Sequence, residues 1–442
     1  MSIKEGFTLT DAFAAVSRVY DVLVIGGGIA GLCAALAARE QGASVALLEK
    51  TGESAGGGDS RHVSRMLLPG KGFSVDDCAE SFSRPIRTMN GTELSATAPY
   101  AAALAHQAAG LAAWLQARGV ALPTADSCLP GGGKALMNAL YAAAEDAGIA
   151  CARNAAVSRL ELRNGQLCGV SFPLNGAEQQ VRAKSVVVAC GGVTERPGAL
   201  PLRGGAANDG AAARLLETLS GCGTPRMLGA RNIARYTPVD ARAPETDGGA
   251  AVTPGEAFFH KATFVDRNGS PLPLPPDASG IAPSLYWGAS LAALLDGKAT
   301  ALLAAPDAAS IPLYFPPLPA DSSIDSMPDA HTPAATEEEG AAVRSCMIPL
   351  VAALDSVVYG PALDEEGRPV FDGGPSPSGL FAAGEAVFAN IPYVALSGPD
   401  NGLTVTAAAL SGLLAGRSAA KAACAAAISE QQNQTAEVSH AG

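Results

Sequence analysis

The residues best placed to do chemistry stand near the start of the chain, in Gly26-x-Gly28-x-x-Gly31. The first glycine permits a tight turn, the second lets backbone approach a diphosphate, and the third lets a helix pack closely on a strand. The unpaired N–H groups that open such a helix carry the positive end of its dipole and bind an anion. Glu49 follows about 20 residues on, where a carboxylate can accept hydrogen bonds from ribose hydroxyls. Gly26, Gly28, Ile29, Ala30, Gly31, Glu49 and Lys50 therefore form a candidate dinucleotide site. This segment alone leaves FAD and NAD open. A second set of residues suits an anion or a proton transfer: Arg61, His62 and Arg65 in a glycine-rich run, then Arg226, Arg231, Arg235 and Tyr236. Arg231 and Arg235, four apart, would share one face of a helix. Tyr393 could present a phenol as acid or hydrogen-bond donor, and packing is the competing reading for it.

Strands and helices must hold these groups. Tyr20–Ile25 reads as a buried parallel strand, Leu32–Glu40 as a helix stopped by Gly42, and Ser44–Leu48 as a second strand ending in Glu49-Lys50. Further on, a helix over Ala135–Ala147 follows Gly131-Gly132-Gly133, then strands Ile149–Arg153, Val157–Leu162 and Leu167–Phe172, with an Asn164-Gly165 hairpin signal. Val181–Val188 is a buried strand running into Cys190-Gly191-Gly192, and Gly379–Glu385 repeats that pattern. An Ala-rich helix spans Val405–Ala427, and the polar tail from Gln431 is expected to fray. No internal repeat is visible.

The bulk composition limits the possibilities. The chain has 442 residues, 48% of them apolar and 16% charged, so it has ample material for buried cores and little resemblance to a disordered segment. Its net charge of −12 argues against general nucleic-acid binding, which needs a basic footprint, but leaves an anionic small molecule open. Nine cysteines occur without a C-x-x-C pair, which removes zinc-ribbon, ferredoxin and c-type haem spacings and gives no metal site. Scattered thiols fit a reducing, cytoplasmic setting and small buried side chains. Met1–Tyr20 lacks the apolar core of a secretory signal, and glycines interrupt the apolar run Val22–Ala38, so no transmembrane segment is expected.

The opening turn, the run Ala183-Lys184-Ser185-Val186-Val187-Val188-Ala189-Cys190-Gly191-Gly192, Asn208-Asp209-Gly210 and Gly379-Leu380-Phe381-Ala382-Ala383-Gly384-Glu385 together resemble the fumarate reductase/succinate dehydrogenase flavoprotein superfamily. Gly56–Arg65, Gly-Gly-Gly-Asp-Ser-Arg-His-Val-Ser-Arg, resembles its tricarballylate dehydrogenase-like branch. The resemblance implies an α/β fold: a discontinuous Rossmann-like FAD-binding domain, residues 1–222 and 348–442, with an inserted α+β capping domain over 223–347. Proline-rich stretches at 270–283 and 312–333 fall in that insertion. It also implies FAD held non-covalently, because His62 does not stand where the linking histidine of such proteins usually does. By resemblance, Gly26, Gly28, Gly31 and Glu49 hold the ADP half, and the Val157 backbone lies near adenine. Gly58, Asp59, Ser60 and Arg61 would run along the diphosphate and flavin edge. Cys190, Gly191, Gly192 and Asp209 would approach the cofactor, and Gly384 and Glu385 would meet the ribityl chain and diphosphate. Gly402 and Leu403 would offer helix N–H groups to the flavin pyrimidine ring.

The family's catalytic pattern is incomplete. Phe264–Ser270 resembles the strand before its proton-donating arginine, but Pro271-Leu272-Pro273-Leu274-Pro275 stands where Arg-Phe and Thr-Arg-Asp elements should follow. Ala353–Pro361 has no histidine, and Ala395–Asp400 replaces the usual Asn-Arg. Fumarate reduction is therefore not expected. The expected activity is FAD-dependent dehydrogenation or reduction of a C–C bond in a small carboxylated substrate, by hydride transfer at flavin N5. Arg61, His62, Arg226, Arg231 and Tyr393 are the candidate catalytic residues, and the electrons would pass to a separate acceptor protein or quinone. The missing family residues keep two alternatives open: an oxygen-using oxidase or monooxygenase, and a catalytically silent flavin-binding subunit.

Overall fold

The computed structural model describes residues 18–52, 56–70, 72–87, 92–163, 165–174, 176–192, 200–201, 211–219, 222–240, 263–265, 301–305, 346–397 and 402–440 of the chain. The main sheet begins with β1 (Val19–Ile25), β2 (Val45–Leu48), β3 (Ala150–Ala152), β4 (Arg159–Arg163), β5 (Gln166–Leu174) and β6 (Ala177–Val188). Their order is β3-β2-β1-β6-β5-β4. Strands β3, β2, β1 and β6 run parallel, while β4 and β5 add an antiparallel flank. One edge of the long β6 is shared: its first half pairs with β5, and its last three residues pair in parallel with Leu380–Ala382. The β-branched and leucine residues of β1 explain its central place, since Val22, Leu23 and Val24 are fully buried and a parallel strand covered on both faces needs apolar side chains throughout.

Helix α1 (Ile29–Glu40) crosses from β1 to β2, and every residue from Ile29 to Ala38 is buried. It lies against the sheet on one side and against the long C-terminal helix, Leu403–His440, on the other. The second contact depends on two glycines: a Cβ at Gly412 would come within 2.2 Å of Ala30 O, and one at Gly416 within 2.1 Å of Ala34 O. Between β2 and β3 lie α2 (Val75–Ser83), α3 (Ala98–Ala108), α4 (Leu111–Gln116) and α5 (Gly132–Asp146), and α6 (Ala211–Glu217) comes later. A reciprocal Ser74–Asp77 capping box starts α2, as S-x-x-D/E before an apolar run would suggest.

A second sheet is built from β7 (Leu200–Pro201), β8 (Met227–Asp240), β9 (Thr263–Val265), β10 (Ala301–Ala305) and β11 (Cys346–Pro361). Its order is β8-β11-β10-β9, antiparallel throughout, with β7 parallel to β11. The strand β11 runs across residues 347 and 348, where the sequence suggested a domain boundary. β12 (Leu380–Ala382), the short α7 (Pro392–Leu396) and α8 (Leu403–His440) complete the chain.

Two local expectations are corrected. Arg231 and Arg235 lie on strand β8 and not on a helix, because that segment pairs along β11. Register shifts between Gly229 and Ala234 and between Arg235 and Tyr236 also break the simple two-residue alternation of faces. The tail does not fray at Gln431, since α8 continues to His440. The segment from Arg417 to His440 contains neither glycine nor proline and is rich in Ala, Glu and Gln, all good helix formers. Within α8, Leu403–Ile428 is long and apolar enough to span a bilayer, but 72% of its most apolar window is buried inside the protein, as in a core helix.

Candidate cofactor and active site

Five strand ends define the site. Ala152 pairs with Leu48, Leu48 with Ile25, Ile25 with Val188, and Val188 with Ala382, so these residues form one row across the sheet. The next residues along, Arg153, Glu49, Gly26, Ala189 and Ala383, therefore line its carboxyl edge. In open α/β sheets this edge, where the strand order turns back on itself, is where ligands bind. The row is tied by backbone bonds: Gly26 N–H to Leu48 O (2.8 Å), Ala189 N–H to Ile25 O (2.8 Å), Ala383 N–H to Val188 O (2.9 Å) and Glu49 N–H to Ala152 O (2.8 Å).

Gly26, Gly28 and Gly31 each answer a different demand. Gly26 has φ +106°, and a Cβ there would lie 2.3 Å from Ala189 O, so glycine lets the turn pass the end of β6. A Cβ at Gly31 would lie 1.9 Å from Gly26 O, which fixes α1 against the turn. At Gly28 the nearest atoms to such a Cβ are Ser60 Oγ at 3.5 Å and Gly57 O at 3.7 Å. That opening sits at the helix N-terminus beside Ile29 and Ala30, where a diphosphate needs room.

Glu49 is buried and already oriented. Its Oε2 accepts the Gly27 N–H at 2.6 Å, and Oε1 accepts the Thr51 N–H at 2.9 Å and the Thr51 hydroxyl at 2.8 Å. Tyr141, from α5, donates its hydroxyl to Gly27 O at 2.9 Å, and the Arg153 guanidinium stacks 4.3 Å from the Tyr141 ring centroid. Burial, reinforced by the Glu49 charge, pushes the Tyr141 phenol pKa upward, so it stays a neutral donor. Nη1 of Arg153 is buried without a hydrogen-bond partner among the described residues. Thr51, Tyr141 and Arg153 were not singled out from the sequence. Only Thr51, two residues past the acid, carried a local signal. Lys50 follows Glu49 at the strand end. Val157 lies two residues beyond Ala155, whose N–H bonds Glu49 O at 2.9 Å, and so belongs to the same edge.

Residues 56–67 cover the glycine turn. A short 3-10 turn, Gly58–Arg61, places Ser60 Oγ where it accepts the Ile29 N–H at 3.1 Å. Arg61 Nε donates to Gly56 O, which bends the side chain back along its own loop. The start of α5 supports this loop from below: a Cβ at Gly133 would lie 2.2 Å from Ser60 O, and Gly133 N–H bonds Val63 O at 2.6 Å. The Gly131–Gly133 run is thus a packing device for the loop. The N-terminus of α8 closes the other side, where Gly402 (φ +73°) abuts Met66 and Leu67 and its carbonyl accepts the Leu67 N–H at 3.1 Å. Leu403 is buried beside it. Gly384, held by its N–H to Ser411 Oγ at 2.8 Å, faces Ala30. The Glu385 carboxyl lies against Gly192, next to Cys190 and Gly191. Cys190 is partly buried, and Asp59 lies in the 3-10 turn. Asp209 lies outside the described residues.

The catalytic candidates separate. Arg61 and His62 sit on the loop over the turn, and desolvation with the Arg61 charge lowers the His62 pKa below its ordinary 6.5, favouring neutral imidazole at pH 7. Arg226 is engaged elsewhere, its Nε donating to Asp372 Oδ1 at 3.0 Å in an exposed ion pair. For Arg231 the description covers only its backbone, in β8. Tyr393 lies on α7 with the Arg84 guanidinium 4.8 Å from its ring centroid. Asn390, missed in the sequence, is fully buried: it donates to Pro361 O and Val387 O (both 2.8 Å) and accepts from Leu363 N–H (3.0 Å) and the Thr97 hydroxyl (2.9 Å), locking the segment that follows Glu385.

Residues 21–207, less than half of the chain, match the model of the FAD-dependent oxidoreductases. FAD is accordingly the cofactor of the oxidoreductase, and the room at Gly28 and the unpartnered Arg153 Nη1 fit a ligand with a diphosphate and ribose. No curated protein sequence matches the chain. Among solved structures, the chain resembles a 3-ketosteroid-Δ4-(5α)-dehydrogenase from Rhodococcus jostii RHA1, with 18% identity, TM-score 0.61 and coverage of 92% of this chain and 98% of that one. It also resembles a flavocytochrome c3 fumarate reductase (18% identity, TM-score 0.62, 95% of this chain and 82% of that one) and the FrdA chain of E. coli quinol fumarate reductase (16%, 0.61, 95% and 74%). These likenesses show the fold alone, a mixed α/β fold similar to that of FAD-binding flavoproteins.

Proposed function

We propose that the chain dehydrogenates, or in reverse reduces, a carbon–carbon bond of a small carboxylated substrate, with FAD bound non-covalently. FAD supplies hydride transfer at N5 when bound. The observation that carries the reading is the placement of Arg61 and His62 on one short loop, between the diphosphate turn of α1 and the N-terminus of α8. Arg61 keeps its terminal guanidinium nitrogens for a carboxylate while its Nε anchors the side chain to Gly56, an orientation that reduces the entropy lost on binding. His62, neutral at pH 7, is suited to accept a proton from a substrate carbon or to orient a carboxyl group. The Gly56–Arg65 run supports a substrate of the tricarballylate type, a cap over residues 223–347 would cover it, and a separate protein or quinone would take the electrons. Free thiols among the described cysteines suit a cytoplasmic setting. The engagement of Arg226 by Asp372 removes one anion-binding candidate, and the second reading is an oxygen-using oxidase or monooxygenase.

Arg61→Ala and His62→Ala test the site. Each is expected to lose at least about a hundredfold in turnover, the range for a general acid–base group, while the visible flavin spectrum and FAD content stay as in the wild type. Full rates in both variants would refute the assignment.

A further inference from the structure

We propose that Arg153 is a further cofactor-binding residue, donating a hydrogen bond from Nη1 to an acceptor oxygen in the ribose–diphosphate part of FAD. The inference rests on the FAD assignment and not on the reaction catalysed.

Arg153 directly follows β3 and stands beside Glu49 and Gly26 on the carboxyl edge of the sheet. Its Nη1 is buried and makes no hydrogen bond among the described residues. A buried donor without an acceptor is unfavourable, and for a charged group strongly so, so a fold that keeps one at a ligand edge is completed by the ligand. Glu49, the nearest carboxylate along the row, accepts from Gly27 and Thr51 and makes no hydrogen bond with this Nη1. The guanidinium plane is fixed by stacking on Tyr141, which is itself anchored through its hydroxyl to Gly27 O. Gly56 gives it space, because a Cβ at that position would lie 2.4 Å from Nη1. The result is a rigid donor at the junction of the acidic ribose contact and the loop over the diphosphate. Arginine suits that junction because its charge persists at any working pH and its planar fork matches phosphate and hydroxyl oxygens.

Arg153→Met keeps the length of the side chain and its packing on Tyr141 but removes the donor. The apoprotein, stripped of flavin and retitrated with FAD by quenching of flavin fluorescence, is expected to bind at least about tenfold more weakly. Its apo melting temperature should equal or exceed that of the wild type, because a buried donor without a partner has gone. Arg153→Lys, which keeps a cation, should recover part of the affinity. An FAD affinity within about twofold of the wild type, together with a lowered apo melting temperature, would show a purely structural arginine and overturn the proposal. Should Arg153→Met fail to fold, Arg153→Lys decides alone: a smaller FAD-induced rise in melting temperature than in the wild type supports the role, and an equal rise overturns it. A wild-type chain that takes up no FAD would overturn the cofactor assignment first, and this role with it.

Discussion

Gly28 has an ordinary extended backbone, φ −73° and ψ 179°, and room beside it, whereas Gly31 is pressed against Gly26 O. The two positions should therefore fail differently. Gly28→Val is expected to cost the apoprotein only the poorer helix N-cap, about 1 kcal/mol, and to abolish FAD binding, because the added methyls occupy the diphosphate opening. Gly31→Val should destabilise the apoprotein by about 1–3 kcal/mol or more, the cost of overpacking, measured by denaturant unfolding. A stable Gly28→Val that still binds FAD would remove the diphosphate from this turn. Away from the site, Asp21 on β1 meets Lys184 Nζ at 2.8 Å and Ser44 at the opposite, amino end of the sheet. Burial alone would raise its carboxyl pKa, but Lys184 and the Ser44 hydrogen bonds outweigh it and hold the group below its ordinary 3.8. The stabilisation is thus complete above that value and fades as pH falls through the lower, folded one. Lys184→Met should cost about 0.5–1 kcal/mol at pH 7, as for a partly exposed pair, with the difference from the wild type vanishing in strong acid. Glycine roles and Glu49 were legible in the sequence because they follow from local spacing. Tyr141 and Arg153 were not, because 92 or more residues separate each from Glu49 and only the sheet brings them beside it.

At the scale of elements, the position of the diphosphate turn depends on how α1 is held. From Ile29 to Ala38 it is buried between the sheet and α8, with Gly412 and Gly416 allowing the backbones to touch near Ala30 and Ala34. Gly416→Val forces those helices apart. It should lower stability by about 1–3 kcal/mol and weaken FAD binding as well, since Ala30 and Ile29 move with the helix. An unchanged FAD affinity at reduced stability would show that the turn is held by the strand alone. The strand–helix–strand unit, β6 and the Gly379–Glu385 segment were readable from apolar runs bounded by glycines. The strand at Arg231 and Arg235 was not, because its formation depends on pairing with β11, more than a hundred residues later. Similarly, the polar composition of the tail hid the last turns of α8, which contain no glycine or proline after Arg417.

For the whole molecule, the chain returns repeatedly to one edge. The sheet's five carboxyl ends, spread from Ile25 to Ala382, meet there with the 56–67 loop and the N-terminus of α8. This convergence explains why resemblance at both ends of the chain identified a flavoprotein fold, while the reaction stayed less defined. The turn chemistry is local, whereas the substrate is chosen by groups that the fold must assemble. On the proposed reading, bound flavin exchanges hydride with a carbon–carbon bond of a carboxylated substrate. The most direct measurement is a screen of saturated and unsaturated carboxylic acids against the purified holoprotein under strict anaerobiosis, following the visible flavin band. A saturated acid is expected to bleach the band, or its unsaturated counterpart to restore it in pre-reduced protein, in each case without oxygen. A flavin that no acid reduces or reoxidises, and that turns over only with oxygen uptake and peroxide release, would contradict that reading.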